Sequence, residues 1–218
     1  MLPLKVYNTI SIVRRHVLAL SWSSQASGLV TIFTNCALET SLIFLPLFAE
    51  ELGASKLQIG VIGGAYGIAY SASSWLFGRQ SDRSGRVLFI QLGLGLSVLA
   101  LAAQTLVGNP ITLICARAVV GLCLGISAAA LIAYNFEAGG STGTFASFGS
   151  LGWLLGAIVA IFTQSYYKLF LLSAASCGLA FVISLSLKEQ ENRRSLTPAT
   201  VQVVRRNVRI YLPFFLRH

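Results

Sequence analysis

Two sets of residues in this chain have the types and spacing to do chemistry. The first is GRQSDRSGR, Gly78 to Arg86, nine residues with four charges. Asp82 is its only acid, among Arg79, Arg83 and Arg86. A carboxylate so placed can pair with an arginine or sit at a helix N-terminus, and such a latch can be made and broken. Gly78 and Gly85 permit close approach and unusual backbone angles around it. The second set is far apart in sequence. Glu39 is the only acid inside an apolar run, and Arg117 lies inside another. Ionisable groups at membrane depth are costly and point to function by default. Glu39 falls about 13 Å and Arg117 about 9 Å below the outer ends of their runs, at 1.5 Å per helical residue. A long arginine side chain can close that difference. A Glu39–Arg117 pair would bind substrate or exchange a proton; the alternatives are a static buried pair that fixes helix packing, or no contact between the two at all.

Other polar residues share these runs. Asn35 is one turn before Glu39 on the same face, and with Thr31 it extends a polar lining or supplies an interhelical hydrogen bond. Tyr66 and Tyr70, one turn apart, face a cavity or pack at mid-membrane depth. Trp153 suits core packing better than a substrate platform, and Trp22 and Trp75 suit the membrane interface. His16 and His218 lie outside the apolar runs.

The elements that must position these residues follow from composition. The 218 residues are 55% hydrophobic and 11% charged, with a mean hydropathy of +0.74. Soluble domains carry about a quarter charged residues. Apolar runs of about 20 residues instead indicate a polytopic membrane protein, whose spans must be helices to satisfy their own backbone. Six spans are expected: 28–48, 59–77, 87–107, 111–133, 145–163 and 169–187. The fold class is therefore all-α, with residues 1–25 a cytoplasmic N-terminal segment, 26–187 a six-helix bundle and 188–209 a cytoplasmic linker. Residues 210–218 read as the truncated start of a seventh helix. The N-terminal segment lacks a clean signal-peptide core and suits a short amphipathic surface helix.

Alternate connections collect twelve lysines and arginines on one side and two, Lys56 and Lys168, on the other. The positive-inside rule puts the N-terminus and Gly78–Arg86 in the cytoplasm, as expected of a multi-pass protein of the cell membrane. The net charge of +9 sits in the gaps between apolar runs, which argues against nucleic acid as a partner. Cys36, Cys115, Cys123 and Cys177 show neither metal nor disulfide spacing and read as packing residues. No metal and no cofactor is expected. Without a nucleophile–base set or paired catalytic carboxylates, no enzyme is expected either.

Small residues form two stripes, Gly60, Gly64, Gly67, Ser71, Ser74 and Gly78 in the second span, and Gly149, Gly152, Gly156 and Ala160 in the fifth. Such stripes let membrane helices approach closely.

The nonapeptide resembles the signature between the second and third helices of the major facilitator superfamily, roughly G-x-x-x-D-R-x-G-R, at Gly78, Asp82, Arg83, Gly85 and Arg86. RAVVGLCLG, with Arg117, Gly121 and Gly125, resembles that family's R-x-x-x-G-x-x-x-G pattern in helix four. GSLGWLLGA is similar to the glycine-rich fifth-helix motif of many antiporters, without its proline. The resemblance implies one six-helix half of a two-bundle fold. It implies a cytoplasmic gate at the nonapeptide, a central cavity lined by helices one and four, and a seam with the other bundle along helices two and five. The implied function is secondary active transport of a small solute by alternating access, coupled to a proton or ion. The partners are then the lipid bilayer, the solute, and a missing C-terminal bundle or a second copy of the chain. The alternatives are a half-transporter working as a dimer, or a non-transporting receptor or assembly factor.

Overall fold

The computed structural model describes residues 4–163 and 165–190, with side chains from Trp22 onward. Among the described residues the chain is helical and has no strand: α1 Leu4–Leu42, α2 Leu45–Glu51, α3 Lys56–Ser84, α4 Arg86–Ala103, α5 Pro110–Glu137, α6 Thr142–Phe162 and α7 Tyr166–Ser184. A single 3₁₀ turn, Gln104–Leu106, extends α4. Residues 191–209 of the expected linker and the expected stub at 210–218 lie outside the described residues.

Several helix boundaries differ from the sequence reading, for local reasons. No break separates residues 1–25 from the bundle, because α1 runs unbroken for 39 residues. No proline lies between Pro3 and Pro46 to stop it. Pro46 then does stop it. A proline has no N–H to donate and its ring clashes with the carbonyl four residues back, here Leu42, the last residue of α1. The chain restarts as α2 with Pro46 in its first turn, so the expected first span is two helices. Polar side-chain caps open α3, α5 and α6. Ser55 and Gln58 form a reciprocal capping box on α3, and Asn109 and Thr112 do the same on α5.

Among the described residues, five stretches are long and apolar enough to cross a membrane: Trp22–Glu51, Arg86–Leu106, Pro110–Glu137, Thr142–Phe162 and Tyr166–Ser184. α3 has the length, at 29 residues, but its glycines, serines and tyrosines dilute its hydropathy. Leu92, Leu99, Ile161 and Val182 are exposed on other helices, as a lipid-facing surface requires.

The packing has an internal symmetry. α3 packs on α5 and α6 on α1; α4 packs on α5 and α7 on α1; α4 and α7 pack on each other. The first three spanning helices and the last three thus make equivalent contacts, the pattern of a structural repeat within a bundle. The main core joins Val30 and Ala37 of α1 to Ile90 and Leu94 of α4, Val120 and Tyr134 of α5, and Cys177 of α7. All four cysteines are free, and Cys36 and Cys177 are buried.

Glycines set the closest approaches. A Cβ at Gly121 would meet the Tyr66 carbonyl, and one at Gly125 would lie 2.8 Å from the Ser73 Cβ. On the other side of the bundle, a Cβ at Gly152 would meet the Ile32 carbonyl, and one at Gly156 would lie 2.7 Å from the Cys36 carbonyl. Gly149 sits 3.4 Å from the Asn35 amide by the same construction. The fifth-span stripe therefore packs inside the bundle, against α1. The second-span stripe does not. A Cβ at Gly60, Gly64 or Gly67 would meet nothing within 4 Å, and only Gly78 abuts α5, at Ala129.

Candidate functional site

Between these two glycine-packed pairs lies a cavity of about 220 Å³. Thr31, Thr34 and Asn35 of α1, Tyr66 and Tyr70 of α3 and Ser127 of α5 supply its polar groups, and Phe145 of α6 adds an apolar wall. Their positions follow from helix geometry. Thr31, Thr34, Asn35 and Leu38 recur at three- and four-residue spacing, which is one face of α1. Tyr66 and Tyr70 sit one turn apart and stack at 5.8 Å between centroids. Asn35 is fixed from both ends: its amide donates to the Thr31 carbonyl at 3.0 Å, and its Oδ1 accepts from Trp153 Nε1 at 3.0 Å. Trp153 is thereby a partner of the cavity wall rather than core packing, and is 45% exposed. The volume is below the roughly 300–1,000 Å³ of sites that enclose a drug-sized ligand.

Arg117 and Glu39 do not pair. Among the described residues no cation lies within ion-pair distance of Glu39, which is half-buried. Arg117 is completely buried. Its Nη1 donates to Ser41 Oγ at 3.2 Å and Gln104 Oε1 at 3.4 Å, and its guanidinium lies 4.9 Å from the centre of the Tyr66 ring. Its Nε and Nη2, and Gln104 Nε2, are buried with no hydrogen-bond partner among the described residues. The azimuth decides the contact. Ser41, two residues past Glu39, is about 200° further round α1 at 100° per residue. α1 offers Ser41 to Arg117, while the Glu39 Cβ stands 2.7 Å from where a Gly156 side chain would begin.

The second site is at the other end of the same helices. GRQSDRSGR is not a loop. Gly78 to Ser84 complete α3, Arg86 starts α4, and Gly85 alone joins them, buried and at a φ of 110° that favours glycine. So tight a joint puts Asp82 and Arg86 on one face, where they form an ion pair. Arg86 reaches further. Its Nε and Nη2 donate to one oxygen of Glu137 at 3.2 and 3.1 Å, and its Nη1 to Ser81 Oγ at 3.0 Å. The pair with Glu137 is sheltered, with 14% of the Arg86 and 7% of the Glu137 side chain exposed. Glu137 belongs to the last turn of α5, beyond the expected end of the fourth span.

Glu189 completes this cluster from beyond α7. Its two oxygens accept from the backbone N–H groups of Arg86 at 2.9 Å and Val87 at 3.1 Å, capping the start of α4. Tyr134 holds the same segment, donating to the Lys188 carbonyl at 3.1 Å and accepting from Gln190 Nε2 at 3.3 Å. Arg79 and Arg83 are exposed, and the Arg79 guanidinium lies 4.2 Å from the centre of the exposed Trp75 ring.

Sequence reasoning missed Ser41, Gln104, Glu137 and Glu189. Gln104 gave a signal, as a polar side chain at the end of an apolar run. Glu137 and Glu189 are 51 and 103 residues from Arg86, and nothing local marks them as its partners.

No curated protein matches the chain. The family profile described as Major Facilitator Superfamily matches residues 27–217, which include the cavity and the charged cluster. With most of its length matched, the chain belongs to the major facilitator superfamily, whose members are multi-pass membrane transporters of small solutes.

Proposed function

We propose that this chain is the N-terminal six-helix bundle of a secondary active transporter, and that its cavity is one wall of the solute site. The observation that carries the reading is the arrangement along one axis. A polar cavity sits between two rigid helix pairs, and a charged latch ties the ends of those same helices. Asp82, Arg86 and Glu137, with Glu189, hold the cytoplasmic ends of α3, α4 and α5 together. Release of these contacts lets the pairs separate at that end, which is one half of alternating access.

The roles divide as follows. Asn35, Tyr66 and Tyr70 face the solute. Glu39, half-buried and without an ionic partner among the described residues, is the group that exchanges a proton or meets a cation. Arg117 supports the cavity by holding Tyr66 and does not touch the solute. The N-terminus and latch face the cytoplasm, by the lysine and arginine asymmetry. The cavity is completed by a second bundle or a second copy of the chain. The uncovered glycine stripe of α3 favours a protein neighbour there, since small and polar residues suit a helix contact better than lipid.

The test places a cysteine at Ala128, on the cavity wall. Introduced at the native locus of a chain cleared of its own cysteines, it is made alongside whatever completes the bundle. A membrane-impermeant maleimide is applied to right-side-out and inverted vesicles. A transporter shows labelling from both faces, and Asp82→Asn raises labelling from the cytoplasmic face. Labelling from one face only, unchanged in the variant, would favour the receptor or assembly-factor reading.

A further inference from the structure

We infer that the cavity takes small uncharged solutes with an apolar body and a head that both donates and accepts hydrogen bonds, the chemistry of a carboxamide. This rests on the transporter reading above and names its substrate class. Charge narrows the choice first. Among the described residues no charged side chain lines the cavity. Arg117 is fully buried with its guanidinium against the Tyr66 ring, and Glu39 is not part of the wall. A charged solute would leave water here and find no counter-charge, a far larger cost than leaving one neutral polar group unpaired.

The hydrogen bonds already made decide which heads fit. Thr31 Oγ1 donates to the Ser27 carbonyl at 2.8 Å, Thr34 Oγ1 to the Val30 carbonyl at 2.7 Å and Ser127 Oγ to the Leu124 carbonyl at 3.0 Å. A hydroxyl has one hydrogen and two lone pairs. Each of these hydrogens is used inside its own helix, so the three groups offer the cavity lone pairs alone and need a donor from the solute. Donors come from α3. Tyr66 and Tyr70 make no hydrogen bond among the described residues, and neither phenol oxygen is enclosed. Their O–H groups are therefore open to a solute acceptor. Asn35 adds only its second N–H, since its oxygen is taken by Trp153 and its first N–H by the Thr31 carbonyl. Acceptors on α1 and α5 thus stand with donors on α3, and a solute that satisfies both needs both kinds of group. The Tyr66 ring, against Arg117 and stacked on Tyr70, is held in place for this. Leu38, Leu131 and Phe145 form the apolar part of the wall, which suits an apolar body.

The probe is radiolabelled benzamide, bound to the tagged full chain purified from its own membranes, with whatever accompanies it. Benzoate and benzamidinium have the same shape with a negative and a positive charge. Saturable binding of benzamide is expected, with each ion at least about tenfold weaker as competitor. N,N-dimethylbenzamide keeps the acceptor and lacks the donors, so it separates the two sets of wall groups. Tyr70→Phe keeps the ring and removes a donor, and should raise the Kd of both amides about three- to tenfold, the loss of one hydrogen bond. Thr34→Val keeps the shape and removes an acceptor. It should raise the Kd of benzamide by a similar factor and leave that of the dimethyl amide within about twofold. Both variants should keep the helical circular dichroism of the parent. Non-saturable binding, an ion that competes as benzamide does, a Tyr70→Phe chain that binds as the parent does, or a Thr34→Val chain that weakens both amides alike would overturn the inference. The Ala128→Cys labelling separates the two readings. If it reports both faces while benzamide fails to bind, the substrate class falls and the transporter stands. If it reports one face only, the transporter reading falls, and the substrate class with it.

Discussion

The seam between α3 and α5 and the seam between α1 and α6 use one backbone device and end in different chemistry. In each, two glycines four residues apart lie against carbonyls or Cβ atoms of the facing helix, Gly121 and Gly125 on α3 and Gly152 and Gly156 on α1. Along α3 and α5 the device is closed at both ends. Arg117 is buried at one, and Arg86 and Glu137 are paired at the other. Along α1 and α6 it is left open. Asn35, Glu39 and Trp153 stand at its edge, partly exposed, and only Asn35 and Trp153 are bonded to each other. The first seam keeps its charges from water and from solute, and so serves as a rigid support. The second offers its polar groups outward, and so is where binding is expected.

Substitutions can break this contrast, and the largest effects belong to the closed seam. Arg86→Ala leaves Glu137 sheltered without its cation, which should cost about 3–5 kcal/mol and lower the thermal midpoint of the purified chain markedly. Glu137→Gln, which keeps a neutral acceptor for Arg86, should cost clearly less. If the two variants melt alike, the pair is not the sheltered contact described here.

Gly121→Ala and Gly152→Ala should each cost about 1–3 kcal/mol, because each new methyl is aimed at a backbone carbonyl that cannot move alone. Their similarity tests whether the two seams share one device. Gly64→Ala is the control. With nothing within 4 Å of its Cβ, it should be neutral or stabilise the helix by up to about 1 kcal/mol. A Gly64→Ala chain as damaged as Gly121→Ala would mean that the α3 stripe is already covered in the preparation, and cross-linking through that face would then identify the neighbour.

A smaller effect, of opposite sign, is expected at Arg117. Arg117→Met removes a buried charge whose Nε and Nη2 have no acceptor among the described residues. Replacing buried ions by apolar residues of similar volume is neutral to stabilising, by about 1–4 kcal/mol at most. The midpoint should therefore hold or rise, even where transport activity is lost with the support of Tyr66. The least change is expected at Glu39, where Glu39→Gln should shift stability by no more than about 0.5 kcal/mol, as at other sites without a buried partner. A strong loss of stability there would mean that Glu39 has a cationic partner and belongs to a closed seam after all.

How much of this was legible depends on the distance between partners. Asp82 and Arg86 are four residues apart, and their ion pair could be anticipated from the nonapeptide alone. Glu39 and Arg117 also stand out in the sequence, as charged residues inside apolar runs. Their pairing was not legible, because depth along a helix comes from counting residues, while azimuth comes from which neighbour a helix packs on. The two glycine stripes make the same point. Gly60 and Gly64 have the four-residue spacing of Gly121 and Gly125, yet only the latter pair meets a helix. Spacing defines a face, and a face has no partner until the bundle assembles.

The sequence by itself determined the class of this protein. Long apolar runs, few charges, a basic asymmetry and local signatures are properties of neighbouring residues, and they dictated a helical membrane bundle of a transporter family. Proline and glycine fixed the breaks, at Pro46 and Gly85, because their backbone limits need no tertiary context. Only the tertiary structure decided which charges are enclosed inside the fold and which stay partly exposed. Arg117 is enclosed and Glu39 is left half-buried because burial is set jointly by several helices, and a side chain's electrostatic value depends on what those helices place beside it.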